Sequence, residues 1–563
     1  MALSNEDLKA VPQSERTWST WNYAALWIGM SVCIPTYMLA SGVMQIGMNW
    51  KQAIAAVLLG NLIVLIPMVL NGHAGAKYGI PFPVFARAAF GTKGANVPAL
   101  LRAIVACGWF GIQTWIGGAS LAVVVEKTFW PGIAQTSFVD EVLGTAEHGP
   151  VSVTGKVDPN GVRSVTVNGT PATIDEKGAW VCQAVRDKDH RVDVTTTFKS
   201  GQATTVKQRV SWGAFDVSTG AFGCFLVFWV VNMLVVLAGI DSIRKLLVVK
   251  SVFLPAATLA LFLWAYTAAH GLGDMLSKPS TFANTREFLK VFAPTLTGMV
   301  GFWSTLSLNI PDFTRYAKSQ KAQMVGQAVA LPTSMTAVAF VGVAVTSATT
   351  MLPAFGKDGE WDPVKVVQTF DSKATVAFAM FCIVLSTLAT NIAANIVSPA
   401  NDFSNLAPSK IGFRLGGLIT GIVGILMFPW KLIENPGKYI NGWLVGYSGL
   451  LGPIAGILIA DYFIVRRQAL DVDDLYSETG RYRYAGGWNP AALIAFVLGV
   501  LPCVPGFLVR AQVLSASEGS ALDTFAQFYD YAWFVGFGIS LVVHLALTKM
   551  RGTDAMRDQK AAV

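Results

Sequence analysis

About a dozen apolar stretches recur along the chain, at roughly 22–46, 52–73, 97–130, 214–238, 241–269, 293–310, 326–351, 374–397, 413–430, 439–464, 488–508 and 528–549. Stretches of this length cross about 30 Å of hydrocarbon as helices. Inside a bilayer every backbone N–H and C=O must find its partner within the protein, so such runs have few other folds open to them. Charged residues make up 13% of the 563, against about 25% in a soluble domain. The chain reads as an all-α polytopic membrane protein of about twelve transmembrane (TM) helices, TM1 to TM12, with the lipid bilayer as its first partner.

Short basic clusters set the orientation. Lys77, Arg87, Lys93, Arg315, Lys318, Arg466 and Arg467 fall in alternate connections, which the positive-inside rule assigns to the cytosol. Both termini are then cytosolic, as a polar N-terminal tail over 1–21 and a C-terminal tail over 551–563. The polar start, MALSNEDLKAVPQSERT, lacks the apolar region of a cleavable signal. Localisation in the cell (inner or plasma) membrane follows. The net charge of +8 lies in these clusters and not on one stripe, so nucleic acid is not an expected partner. Six cysteines stand singly with no CxxC or His-x-His spacing, and neither a metal site nor a disulfide framework is expected.

One segment is of a different material. Residues 135–212, between TM1–TM3 (22–134) and TM4–TM12 (213–550), are polar and rich in Val, Thr, Gly and Asp. They alternate over Arg163–Val167 and Val192–Phe198, with turn signals at Pro159-Asn160-Gly161, Asn168-Gly169 and Ser200-Gly201. They read as a small extracytoplasmic β-rich insert with an immunoglobulin-like pattern, the alternatives being a lone hairpin or a disordered loop.

Two apolar spans carry helix breakers. The first holds Pro35 and Gly42; the sixth holds Gly298 and Gly301 and ends at Pro311. Interrupted helices at matching positions of two repeats point to the midplane site of a transporter. In the third span, Trp109 and Gln113 stand four apart and share one helical face. An indole face and a carboxamide together suit a planar neutral ring with amide edges. Spacing alone leaves open the plainer reading, in which Gln113 ties helices together and Trp109 fills space. Asp312, Asp402 and Asp461 lie at helix ends beside Arg315, Lys410 and Arg466 and read as salt bridges or caps; His73 and His544 read as interfacial packing.

GIPFPVFARAAFG (79–91), CGWFGIQTWIGG (107–118), GFWSTLSLNIPDFTRYAKSQ (301–320), ATNIAANIVSPANDF (389–403) and GPIAGILIADYFIVRR (452–467) resemble signature stretches of nucleobase:cation symporter family 1, the hydantoin, allantoin, uracil and cytosine/purine permeases. The resemblance implies a leucine-transporter-type 5+5 inverted repeat plus two C-terminal helices. It implies a substrate site of Trp109, Gln113, Trp303 and Asn395, with Phe302 where the hydantoin type has a small residue and Cys33 in place of a polar one. It also implies a cation site from the carbonyls of Gly29, Val32 and Ser386 with the hydroxyl of Thr390, where Ala389 replaces a second hydroxyl. Hard cations need oxygen ligands, so this loss tilts the coupling ion from sodium towards protons. No other cofactor is implied.

The expected function is a symporter of a neutral planar N-heterocycle working as a monomer by alternating access. The rival is a membrane receptor or channel-like protein that recognises its ligand through the β insert. No phosphate-binding Gly loop, HExxH or assignable Ser/His/Asp set points to an enzyme.

Overall fold

The computed structural model describes residues 3–130, 151–157, 162–175, 179–184, 191–199, 201, 203–209, 217–238, 255–271, 276–352, 355, 359–510, 513–517 and 519–560. The chain falls into two compact units, 1–120 with 228–563, and 121–227.

Nine described helices are long and apolar enough to cross a membrane, and a bent pair makes a tenth span. In chain order the twelve TM positions are occupied by Thr20–Ser31 with Ile34–Gln45 (TM1), Trp50–Tyr78 (TM2), Asn96–Thr128 (TM3), Thr219–Ala238 (TM4), Pro255–Ala268 (TM5), Thr285–Asn309 (TM6), Gln320–Thr349 (TM7), Lys373–Leu406 (TM8), Phe413–Leu426 (TM9), Lys438–Val465 (TM10), Pro490–Arg510 (TM11) and Ala532–Met550 (TM12). TM5 and TM9 are shorter than the rest, and the start expected for TM5 lies outside the described residues. Helix ends follow local chemistry. TM2 opens on a capping box of Asn49 and Gln52 and closes on Gly79, whose φ of 73° is a left-handed cap ahead of Pro81.

TM1 breaks beside its proline. In an unbroken helix the N–H of residue 35 would bond Ser31 O, but Pro35 has no N–H and its ring crowds that carbonyl. Ser31 O accepts instead from Cys33 N at 2.9 Å, Cys33 turns extended, and the second half restarts at Ile34 with a bend of 57°. TM6 corrects the expectation of a second interruption: Thr285–Asn309 runs as one helix through Gly298 and Gly301. Those glycines serve close packing. A Cβ on Gly301 would lie 2.7 Å from Leu444 O of TM10, and one on Gly298 would lie 3.2 Å from the Ile440 side chain. TM10 is itself wound as a π-helix over Lys438–Leu444, directly against this face of TM6.

The N-terminal segment is held in place. Asn5 Nδ2 donates to Ser404 Oγ (2.6 Å), Arg315 Nη1 to Asp7 O (2.8 Å) and Tyr476 OH to Leu8 O (2.7 Å). The ion-pair expectations need two corrections. Asp402 pairs with Arg102 of TM3 at 2.8 Å, not with Lys410, and both side chains are fully buried. Asp312 accepts from Phe82 N at 2.9 Å, stitching the Phe82–Phe90 helix to the end of TM6. Asp461 does pair with Arg466, at 2.5 Å. His544 is not interfacial; it is fully buried with Nε2 at 3.4 Å from Asp461 Oδ1.

Among the described residues of the second unit, seven strands form two sheets, of order β1-β5-β4 and β3-β2-β6-β7, with β1 at Val151–Lys156, β2 at Val162–Val167, β3 at Thr170–Pro171, β4 at Thr173–Ile174, β5 at Ala179–Ala184, β6 at Arg191–Phe198 and β7 at Ala203–Arg209. Their inner faces share one core of Val153, Trp180 and Cys182 from the first sheet and Val165, Val167 and Val192 from the second. Asn168 and Gly169 take positive φ (49° and 80°) and join β2 to β3 as the tight hairpin expected of Asn-Gly. Residues 159–161 and Ser200, two of the expected turn signals, fall wholly or partly outside the described residues.

Candidate functional site

The break in TM1 opens onto a cavity of about 30 Å³, room for no more than a couple of waters. Met30, Cys33 and Pro35 line it from the break, Trp109 and Gln113 from TM3, Phe302 and Trp303 from TM6, and Thr390 and Asn395 from TM8. All five residues expected to touch substrate meet here, from helices that come together only in the fold. No charged side chain lines the cavity among the described residues.

The aromatic groups form a connected set. Phe302 sits edge-on to both indoles, with ring centroids 5.1 Å from Trp109 and 4.9 Å from Trp303, and Trp27 meets Trp303 edge-on at 5.1 Å. Phe302 thus occupies the ground between the two tryptophans. Such edge-to-face pairs are each worth about 0.5–1.5 kcal/mol beyond the area they bury, enough to hold the rings yet little enough to let them turn.

The polar groups divide into those committed and those open. Asn395 Nδ2 donates to Asn391 Oδ1 at 3.0 Å, while Asn391 itself donates to Thr114 Oγ1 (3.0 Å), Phe110 O and Asn232 Oδ1 (both 3.2 Å). Asn391 therefore fixes the rotamer of Asn395. The i, i+4 spacing of the two asparagines signals this face in the sequence, yet the sequence reading passed over it. Trp109 Nε1 donates to Tyr447 OH at 3.3 Å, and that hydroxyl donates to Gly301 O at 2.8 Å. Tyr447 so pins an indole of TM3 to the backbone of TM6. A single tyrosine in an apolar span gave no signal of this. By contrast Gln113 Oε1 and Trp303 Nε1 are buried and make no hydrogen bond, and leaving a buried polar atom unpaired costs about 1–3 kcal/mol. A ligand offering an N–H to Gln113 would recover part of that cost.

Of the residues expected to hold a cation, Thr390 lines the cavity, and Gly29, Val32, Ser386 and Ala389 are not among its lining residues. Val32 caps the first half of TM1 at the break, with ψ at 82°. Thr390 Oγ1 donates to Ser386 O at 3.0 Å, an ordinary helical back-bond. The Ser386 hydroxyl is buried and makes no hydrogen bond. It is an oxygen near in sequence to the one Ala389 lacks.

Comparison with known proteins bears on the family and the fold. A family model described as permease for cytosine/purines, uracil, thiamine, allantoin matches residues 10–149 and 201–536, and the stretch left out holds most of the β strands. The chain is 37% identical over 553 residues to the purine-uracil permease NCS1 of Arabidopsis thaliana, covering 98% of this chain and 78% of that one. It is 35% identical over 548 residues to the allantoin permease of Bacillus subtilis (strain 168), covering 97% and 94%. Among solved structures it resembles Mhp1, a nucleobase-cation-symport-1 family transporter with bromovinylhydantoin bound, with a TM-score of 0.67 at 22% identity over 98% of this chain and 96% of the other. A Na+-coupled sialic acid symporter matches less closely, with a TM-score of 0.54 at 12% identity over 95% and 90%. The architecture is that of the leucine-transporter-like fold shared with Mhp1.

Proposed function

Because the chain belongs to the family of permeases for cytosine/purines, uracil, thiamine and allantoin, a family of multi-pass membrane transporters, we propose that it is a secondary active symporter that imports a neutral planar N-heterocycle of the allantoin, hydantoin, uracil or other nucleobase type. The observation that carries this reading is the uncharged cavity at the TM1 break, walled by two indoles and two carboxamides. Trp109 and Trp303 take the two faces of the ring. Gln113 and Asn395 pair with its edges, Asn395 in the orientation Asn391 gives it. Phe302 swings out of the space between the indoles as the ring enters, since the cavity is otherwise too small for one. A charged ligand would find no counter-ion here, and an unpaired charge at membrane depth is costly.

Transport follows by alternating access around this site, with TM1 hinging at Val32–Cys33. The protein works as a monomer in the cell membrane with both termini in the cytosol. The coupling ion is a proton. The family-implied sodium position keeps the Thr390 hydroxyl but has Ala389 where a second would stand, and hard ions demand oxygen. The Ser386 and Thr387 hydroxyls, both buried and without a hydrogen bond, are groups in that stretch that could offset the loss.

Uptake of radiolabelled allantoin, hydantoin, uracil, cytosine and adenine into proteoliposomes tests both parts. One or more should accumulate, insensitive to replacement of sodium by choline and suppressed by a protonophore, and Ala389→Ser should introduce sodium dependence. Accumulation of none sinks the substrate class. A sodium requirement that persists with the proton gradient collapsed, and is lost in Ser386→Ala, assigns the missing ligand to Ser386 and overturns the proton reading.

A further inference from the structure

Three of the helices that wall the ring site also carry a buried charge cluster, at the end of the bundle that the proposed topology turns to the cytosol. Arg102 of TM3 stands seven residues from Trp109, and Asp402 of TM8 seven from Asn395, a separation of about two helical turns or roughly 10 Å. The two pair at 2.8 Å with both side chains fully buried. Asp312, just past TM6 and 3% exposed, lies within electrostatic reach of both Arg102 and Asp402, yet the hydrogen bond it accepts comes from Phe82 N. One oxygen of each carboxylate, Asp402 Oδ1 and Asp312 Oδ2, is buried without a partner.

The other charged and titratable groups around the cluster do not supply the missing countercharge. Arg315 also reaches Asp312 through its charge, but its Nη1 donates to Asp7 O and its guanidinium lies over the Tyr316 ring. Arg87 of the Phe82–Phe90 helix donates to Leu475 O, Leu3 O and Asn405 Oδ1. Cys107 of TM3 lies within the same reach and adds no positive charge. Two carboxylates thus depend on one fully buried guanidinium, and a carboxylate left without a countercharge in a dry interior binds a proton instead. A line of contacts joins the cluster to the ring site. Asn309 is hydrogen-bonded to Ser398 of TM8; with its carboxamide oriented to satisfy its neighbours, it accepts from Arg102 Nη2 at 3.3 Å and donates to Thr305 O at 2.6 Å. Thr305 lines the ring cavity.

Resting on the proton-coupled reading, we infer that Asp312 and Asp402 hold the coupling proton, one proton shared by the pair around Arg102. With it bound, neither carboxylate keeps an unpaired charge, and the cluster stays dry while TM3, TM6 and TM8 close over it. When the cytosolic end opens, water reaches the carboxylates, both ionise, and the proton leaves to the cytosol with the ring. Ring and proton favour the same closed arrangement, so each tightens the binding of the other.

Gradient-driven uptake by the full-length protein in proteoliposomes, set against counterflow exchange of the same ring at equal pH on both sides, tests this in native, Asp312→Asn and Asp402→Asn proteins. The ring is whichever of the panel above the native protein takes up. Exchange needs no net proton movement, so in both variants accumulation should fall to the level of equilibration while exchange persists. In the native protein the dissociation constant for the ring should rise with pH, by up to about tenfold per unit for one linked proton, and in both variants it should not change with pH. Asp312→Asn leaves the Arg102–Asp402 pair in place, which keeps the test open should Asp402→Asn fail to fold. A folded variant that still accumulates the ring with the native pH slope, or that loses accumulation and exchange in the same proportion, would overturn the inference and leave the proton reading standing. Native uptake of no ring, or uptake that survives collapse of the proton gradient, would instead bring down that reading and this one with it.

Discussion

TM1 and TM6 carry the same kinds of residue and do opposite things with them. Both hold a glycine and a proline in an apolar run, yet TM1 opens at Val32–Cys33 while TM6 runs unbroken to Asn309. An internal proline does not by itself separate them, since Pro294 stands inside the unbroken TM6; the glycines differ in what they touch. Pro35 sits inside its run and removes a specific N–H, and there the backbone leaves the helix; Pro294 removes one from TM6, which runs on through it. Pro311 sits past the end of TM6, where a helix is finishing anyway. Gly301 and Gly298 let TM10 approach, with backbone and side chains of Leu444 and Ile440 where a Cβ would stand. A breaker in a membrane sequence therefore has two readings, a hinge or a close contact, and only the partner helix decides between them.

Four substitutions can break or sharpen that contrast. Gly301→Ala should have the largest effect, because its Cβ would press on a backbone carbonyl that cannot swing away. A loss of about 1–3 kcal/mol of stability and of most uptake is expected, read as a lowered melting temperature in detergent; an unchanged melting temperature would mean the TM6–TM10 contact is looser than described. Pro35→Ala restores the missing N–H and lets the two halves of TM1 join. Uptake should drop at least about tenfold at equal or higher thermal stability, the equivalent of some 1.4 kcal/mol, whereas a destabilised but active protein would show that the bend is imposed from outside the helix. Tyr447→Phe keeps the ring and removes the hydroxyl that links Trp109 to Gly301. The expected cost is about 0.5–1.5 kcal/mol, seen as a raised KM with little change in maximal rate, and an effect on maximal rate alone would place Tyr447 in the conformational step. Gly298→Ala should do least, since its Cβ would press only on the Ile440 side chain, at 3.2 Å, with Leu444 Cβ at 3.5 Å and Ile440 O at 3.6 Å in ordinary contact; an effect rivalling that of Gly301→Ala would erase the distinction between close and ordinary neighbours.

The same contrast explains what could be read before the fold was known. Spans of apolar residues announce themselves, because the bilayer enforces composition over a whole helix. The Asn168-Gly169 hairpin is equally local, but the break at Pro35 is only partly so, since Pro67, Pro294, Pro332 and Pro453 stand inside helices that run on. The set of Trp109, Gln113, Phe302, Trp303 and Asn395 was reached through resemblance, and the structure gathers it around one cavity. What stayed hidden depends on residues hundreds of positions apart. Arg102 finds Asp402 and Asp7 meets Arg315, while Lys410, near Asp402 in sequence, was the wrong guess because an i, i+8 separation says little once a chain folds back. Asn391 and Tyr447 stayed hidden for a related reason: each is an ordinary polar residue until its neighbours are known.

The central claim is that an aromatic clamp at the TM1 break binds a neutral planar ring, and equilibrium binding of the transported heterocycle to purified native, Trp109→Ala and Trp303→Ala proteins tests it most directly. Each substitution removes one stacking face, worth about 1–3 kcal/mol for a planar base, so the dissociation constant should rise roughly ten- to hundredfold in each variant while the melting temperature of the unliganded protein moves little. Binding as tight in both variants as in the native protein would contradict the claim and send the search for the site elsewhere in the bundle.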